Sequence, residues 1–293
     1  MSTSTGTWPT STRRPAEPAR IRADRLRPAD TRAQRLSAPI YFLSDYGLAD
    51  EFVGVVHAVL ARLAPDSSRV DLTHRIAPHD VRAGALTLWR AAPWLAGGVI
   101  LAVVDPGVAT DRRAVAVKTG DGTFLVGPDN GLLYPAAHAL HSVTAAVELE
   151  VTRRHTFAGR DVFAPAAAAL ASGQPIERLG TAIEPESIEG DPVAVPVARD
   201  GRIEAEVLWV DRFGNAQLNL AASVAGPGPL FIGGRRLRIV DSFAAIGNDP
   251  FGLVVDSYGY LAICCDRAPA AERLGLRAGD RVDVGLRGPT GTI

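Results

Sequence analysis

The sequence predicts an α/β domain followed by a smaller all-β domain, and three observations predict it. From Ile40 to about Ser172, short apolar runs that fit strands alternate with longer stretches of helical spacing, the pattern of a largely parallel sheet with crossover helices. After Gly190 the helical period disappears. Short strand-like runs there are split by Gly, Pro and Asn, the texture of a small barrel or sandwich. The 293 residues, 47% of them hydrophobic, are enough for two cores rather than one.

Residues 1–37 stand outside both domains. They are rich in Ser, Thr, Pro, Ala and Arg, lack a sustained apolar period and read as a disordered tail. The α/β domain is expected over 38–190 and the all-β domain over 191–293, with Glu184 to Pro196 as the linker.

In chain order, Ile40-Tyr41-Phe42-Leu43 is a short apolar strand ending in Ser44-Asp45-Tyr46-Gly47. A helix follows, with Phe52, Val55, Val56, Val59, Leu60 and Leu63 on its apolar side. Arg69 to His74 is a strand and turn. Arg82 to Trp94 is a helix stopped by Gly97-Gly98. Val99 to Val104 is apolar throughout, so both its faces are buried, and it ends at Asp105-Pro106-Gly107. Ala114–Val117 and Thr123–Val126 form a hairpin around Gly120-Asp121-Gly122. Asp161 to Ser172 is an alanine-rich helix. In the second domain, strands are expected at 201–210, 216–220, 230–238, 252–256 and 260–265.

Composition removes several function classes. A net charge of −1 provides no general field for nucleic acid. No apolar run reaches the roughly 18–20 residues of a membrane helix, and no secretory segment follows Met1. The two cysteines, Cys264 and Cys265, are sequence neighbours. They point to opposite faces of one strand, so a bridge between them would be strained, and they make a poor zinc site. A reduced, cytoplasmic protein is expected, with one thiol buried and one at the surface.

Candidate chemistry begins with Asp45, Asp71 and Asp105, each expected directly after an apolar strand. Ligands bind at strand carboxyl ends in open α/β sheets, and a carboxylate there accepts hydrogen bonds from a ribose diol. Helix or turn capping is the alternative role for such residues. The chain has no phosphate-binding glycine loop and no G-x-S-x-G elbow. Its six histidines, His57, His74, His79, His138, His141 and His155, lie in no metalloprotease context. No metal site and no cofactor are expected.

Seven stretches in order resemble one family. They are Ser44-Asp45-Tyr46-Gly47 with Asp50; Asp71-Leu72-Thr73-His74 through Pro78-His79-Asp80; Val103 to Val108 with Arg112; Val126 to Gly131; Thr156-Phe157-Ala158-Gly159-Arg160-Asp161; Asp211-Arg212-Phe213-Gly214-Asn215; and Asp256 to Leu261. The chain resembles the S-adenosylmethionine hydrolases, or hydroxide adenosyltransferases, whose relatives are the fluorinating and chlorinating enzymes. The resemblance implies a Rossmann-like N-terminal domain, a C-terminal β-barrel and a homotrimer with each site between subunits. The substrate it implies is S-adenosyl-L-methionine, attacked by water at ribose C5′ to give adenosine and methionine. It places ribose binding on Asp45, methionine-side contacts on Asp50 and Asp211, and adenine contact on Asn215. Ser257 and Tyr258 fall on contacts to the amino-acid carboxylate, Phe243 on an aromatic near adenine, and Phe213 within the same block. His79 stands where the halogenases carry tryptophan.

A sulfonium is already an activated leaving group, so the reaction needs a placed nucleophile rather than an acid. The family's water-holding set is Asp-Arg-His. Its aspartate falls on Asp105, where halogenases carry tyrosine, and its arginine on Arg112, which is expected to keep Asp105 ionised. A carboxylate repels halide and accepts a proton from water, which makes a chlorinase the less favoured reading. The family histidine is replaced here by Ala158. Either His155 or His79 reaches the same space, or the set is incomplete; the alternative function is then a weakly active or non-catalytic binder of S-adenosylmethionine or adenosine. Gly159 also lacks the serine hydroxyl that the fluorinating relatives offer their halide.

Overall fold

The computed structural model describes residues 37–151, 156–190, 192–193, 195–199, 201–225 and 228–285. The tail expected over 1–37 lies outside them except for Ser37, and His155 lies outside them as well. The described residues form two compact units, divided in sequence between Pro192 and Val193.

The first unit contains β1 (Ile40–Ser44), α1 (Phe52–Leu63), β2 (Arg69–Thr73), α2 (Val81–Ala91), β3 (Val99–Val103), β4 (Ala114–Thr119), β5 (Phe124–Pro128), α3 (Tyr134–Ala139), β6 (Val143–Leu149), α4 (Ala164–Ala171) and β7 (Gly180–Ile183). Its seven strands run in the order β2-β1-β3-β5-β4-β6-β7. The first four are mutually parallel, and β4, β6 and β7 are antiparallel to their neighbours. The sheet is therefore mixed rather than largely parallel. The β4–β5 hairpin turns the chain back on itself, and β6 and β7 extend that antiparallel edge.

Strand β3 explains the layering. Its side chains alternate, so Val99, Leu101 and Val103 join the core under α1 and α4, while Ile100, Ala102 and the following Val104 join the core under α2 and α3. Every residue of β3 is buried. Val56 and Leu60 of α1 are fully buried against the sheet, each worth about 1.5–3 kcal/mol of transfer free energy. Two residues expected on that buried face, Phe52 and Leu63, are 38% and 44% exposed, and Val53 takes the inner position. Phe52 begins the helix beyond the sheet edge and packs its ring on Tyr46 and Phe157, with centroids 5.7 and 5.2 Å away.

The second unit contains β8 (Val197–Arg199), β9 (Arg202–Val210), β10 (Ala216–Ala221), α5 (Ala222–Ala225), β11 (Leu230–Ile232), β12 (Arg235–Leu237), β13 (Ile239–Val240), β14 (Gly252–Val255), β15 (Tyr260–Cys264), α6 (Ala270–Leu274) and β16 (Arg281–Gly285). Nine strands form one nearly barrel-like sheet in the order β12-β11-β16-β9-β10-β15-β14-β13, with β8 paired to β9. Its core is Val207, Leu218, Leu220, Leu253, Leu261, Ile263 and Val284. The run expected as one strand over 230–238 is a hairpin instead. Gly233 and Gly234 both have positive φ, at 57° and 75°, the backbone of a two-residue turn whose twist suits paired strands. Both cysteines are free and buried, contrary to the expected inside–outside pair. Cys265 has left the strand, and its thiol donates to the Pro250 carbonyl at 3.0 Å.

Candidate active site at the carboxyl ends of β1 and β3

Strands β1 and β3 are parallel neighbours, with Ser44 opposite Val103. From β1 the chain leaves toward β2, and from β3 it leaves toward the other side of the sheet. Their carboxyl ends thus flank a topological switch point, where the loops diverge and open a crevice. Asp45 and Asp105 occupy that crevice. Asp71 does not: it lies within edge strand β2, where its carboxylate meets His57 and His74.

Asp105 is held by Arg112 through two bonds. The guanidinium Nε donates to Oδ1 at 3.0 Å, and Nη2 donates to Oδ2. The pair is well buried, with side-chain exposures of 6% for Asp105 and 13% for Arg112. Arg112 also donates through Nη1 to the Arg113 carbonyl at 3.0 Å, and its guanidinium lies 5.4 Å from the Phe163 ring centroid. A bidentate guanidinium so constrained fixes the carboxylate plane. The neighbouring Arg113 serves the scaffold instead, pairing with Asp129 and tying down the Ser187 turn.

Burial pushes the Asp105 carboxyl above its ordinary value. Arg112 pulls it back down by charge and hydrogen bonding, and the nearby Asp45 charge adds a smaller upward push. The expectation that Arg112 holds Asp105 toward the ionised form is right in sign, but desolvation is the larger effect. The result is a carboxylate more basic than usual, which suits a proton acceptor.

Asp45 accepts the main-chain N–H of His79 at 2.9 Å, so one of its oxygens positions the 79 turn. His79 has φ of 67°, a left-handed conformation costly for a residue with a Cβ and frequent at functional sites. Its ring is exposed, as is the carboxylate-bearing residue Asp50 in the loop before α1.

Tyr46 lies beside both aspartates, and sequence reasoning gives it no role of its own. Burial, then the charges of Asp45 and Asp105, raise its phenol far above the ordinary value, so it stays protonated. Its oxygen accepts the Gly159 main-chain N–H. A Cβ on Gly159 would lie only 2.2 Å from that oxygen. Gly159 is therefore glycine because a phenol fills the space that a side chain would take. The one sequence signal is a tyrosine beside a strand-end aspartate, whose buried hydroxyl must find a partner.

Ala158 is buried at the entrance to a π-helical turn, Gly159–Phe163, that leads into α4. Such turns are frequent at functional sites. Ala158 lines a cleft of about 360 Å³ together with Arg112, Thr110 and Val162. A larger side chain at 158 would have that cleft to enter, beside the guanidinium.

In the second unit, Asp211 accepts the N–H groups of Phe213 and Asn215 at 2.8 and 2.9 Å and the Asn215 side-chain amide at 2.8 Å. It fixes the β9–β10 turn and the orientation of Asn215. Gly214 completes the turn at φ of 81°, where a Cβ would meet Pro269 at 2.5 Å. Asp256 does the same for the β14–β15 turn, accepting the N–H of Tyr258 and Tyr260 at 2.8 and 3.0 Å and the Gln217 amide. Ser257 is exposed in that turn. Both carboxylates reach Cys264, whose thiol is pushed up to about 12 by burial and then by Asp211, Cys265 and Asp256. Phe213, Phe243 and Tyr258 are 70%, 47% and 45% exposed, an unusual set of large rings at a surface.

The chain thus pairs a mixed α/β unit, with a guanidinium-clamped carboxylate at its switch point, with a nearly barrel-like unit whose turns are ordered by aspartates. Residues 40–180 match the SAM hydroxide adenosyltransferase N-terminal domain and residues 205–283 match its C-terminal domain. The chain belongs to the SAM hydroxide adenosyltransferase family. It is similar to a protein of Salinispora tropica named (R)-S-adenosyl-L-methionine hydrolase, with 46% identity over 84% of this chain and 97% of that one. Similarity to a fluorinase from an Actinoplanes species is weaker, at 27% identity over 84% of this chain and 96% of that one. Among solved structures, a conserved protein from Thermotoga maritima superposes with a TM-score of 0.76 at 31% identity, covering 84% of this chain and 99% of that one.

Proposed function

We propose that the chain hydrolyses S-adenosyl-L-methionine to adenosine and L-methionine. The carrying observation is the buried Asp105–Arg112 pair at the β1/β3 crevice, in a chain 46% identical to a named hydrolase of that substrate. Water bound to the Asp105 carboxylate attacks ribose C5′ from the face opposite sulfur. The new C5′–O bond forms as the C5′–S bond breaks, its electron pair leaves on the methionine sulfur, and Asp105 takes the water's proton. Arg112 keeps the carboxylate aimed. Asp45 accepts from the ribose hydroxyls. Tyr46, held neutral beside both aspartates, donates its proton in a hydrogen bond to the water and so stands in for the missing histidine. No cofactor enters the step.

The barrel-like unit supplies much of the recognition, with Asp50 and His79 added from the α/β unit. Asn215 contacts adenine, Asp211 and Asp50 face the methionine ammonium, Ser257 and Tyr258 meet the carboxylate, and His79, Phe213 and Phe243 flank the nucleoside. The α/β unit, Rossmann-like in its helix-covered parallel half, carries the nucleophile. The exposed rings on the second unit fit an assembly in which another copy covers them, and we take that assembly to be a homotrimer. Two free buried thiols fit a reduced, cytoplasmic enzyme.

Incubation of the purified chain with S-adenosylmethionine, followed by chromatography, is expected to yield adenosine and methionine in equal amounts. Tight calorimetric binding without turnover would instead establish the binder that Ala158 suggests. Restoring the histidine with Ala158→His is expected to raise kcat, because the cleft beside Arg112 admits it.

A further inference from the structure

Beside the crevice, on the β2 side of β1, three side chains from three elements converge at the edge of the sheet. His57 projects from α1, Asp71 from β2, and His74 from the turn after β2. Their ligand atoms all lie within 4.8 Å of one another. His57 Nε2 is 2.8 Å from Asp71 Oδ1, and His74 Nε2 is 3.1 Å from the same oxygen. We infer that His57, Asp71 and His74 form a binding site for a divalent transition-metal ion of the zinc type.

The His74 side chain is only 3% exposed, and its Nε2 has no hydrogen-bond partner. The Asp71 oxygen is near enough, but the approach lacks hydrogen-bonding angles. A buried polar atom left in this condition is destabilising, and a metal ion bound between the three atoms removes the deficit.

The other His74 ring nitrogen, Nδ1, lies 2.8 Å from Ser44 Oγ. When Nδ1 donates there, the Nε2 lone pair faces the Asp71 carboxylate: repulsive without a cation, and the arrangement of a metal-binding histidine with it. Phe42 fixes both rings, with centroids 4.6 Å from His74 and 5.9 Å from His57, edge-on to each. These contacts form the apolar wall that holds metal ligands in place.

Asp71 is 44% exposed and His57 28%, so the site opens to solvent on one side and is closed by His74 beneath. Two imidazoles and a carboxylate are a standard donor set for zinc, leaving a fourth position for water. Tetrahedral bonds of about 2.0–2.2 Å place ligand atoms about 3.3–3.6 Å apart. The observed spacings reach that by small side-chain rotations. Sequence motifs hide the site, because His57 is 14 residues from Asp71 and on a different kind of element.

This site stands apart from the proposed reaction, so its test reads metal rather than turnover. The full chain, stripped with a chelator, would be titrated with zinc chloride against a colorimetric zinc indicator. One zinc per chain is expected. His57→Ala and Asp71→Asn, at the more exposed ligands, are each expected to weaken binding about 10–100-fold or more, whereas His138→Ala binds as wild type. Circular dichroism confirms that each variant is folded. Cobalt substitution is expected to give the intense visible bands of a tetrahedral site in wild type and to lose them in both ligand variants. Failure of the wild-type chain to take up zinc, or unchanged affinity in His57→Ala and Asp71→Asn, would overturn the proposal.

Discussion

The two units use their aspartates in opposite ways. At the end of β3, Asp105 is buried, clamped on both oxygens by Arg112, and raised in pKa by desolvation. In the barrel-like unit, Asp211 and Asp256 are engaged by the main chain of their own turns. A carboxylate that organises a turn builds a recognition surface, and around these turns Phe213 and Tyr258 stand exposed. A carboxylate lifted out of water and aimed by a guanidinium is prepared for proton transfer. On the function proposed above, this difference gives Asp105 of the first unit the chemistry and the ordered turns of the second unit a share in recognition.

The sharpest way to break that division is Asp105→Asn. The amide keeps the shape but cannot take a proton, so kcat is expected to fall about 10²–10⁴-fold with an unchanged circular dichroism spectrum. A loss confined to KM would move Asp105 into recognition. Gly159→Ala comes next. The added methyl collides with the Tyr46 oxygen, which is backed by Phe52 and Phe157, and overpacking of this kind costs about 1–3 kcal/mol. A lowered Tm in thermal unfolding is expected, and Gly159→Ala combined with Tyr46→Phe should recover part of it. Phe213→Ala addresses the other unit. Loss of a ring stacked on a base costs about 1–3 kcal/mol, which is expected to appear in KM with kcat little changed.

The smallest effect concerns pH. Because the folded-state pKa of Asp105 is raised, its contribution to stability is present below the ordinary carboxylate value and is lost as pH rises through the raised value. Activity runs the other way, since catalysis needs the ionised form. The acid limb of the kcat/KM profile is therefore expected above the ordinary carboxylate range, and Asp105→Asn should abolish that limb along with the activity.

Much of this is legible in the amino-acid sequence alone. Strand β3 announces itself through an unbroken apolar run, and the loop from Asp105 to Arg112 is short enough for the pair to be read from spacing and resemblance. Strands β6, β7 and β16 escape such a reading. Val143–Leu149 and Arg281–Gly285 mix charged outer residues with few inner apolar ones, and Gly180–Ile183 is too short to carry a period. The hairpin at Gly233-Gly234 is hidden because both arms are apolar at their outer ends, Leu230 and Leu237 being paired across it. Tyr46 and Gly159 meet only after α4 packs beside α1, a contact no local pattern reports. The sequence thus discloses the strand-end carboxylate and its arginine, and tertiary packing discloses what holds them.

Single turnover in water enriched in the heavy oxygen isotope puts the central claim to trial. If Asp105 steers a water molecule onto C5′, the adenosine formed carries the label in its 5′-hydroxyl, and the rate of labelling collapses in Asp105→Asn. Unlabelled adenosine, or labelling at the same rate in that variant, would contradict the account.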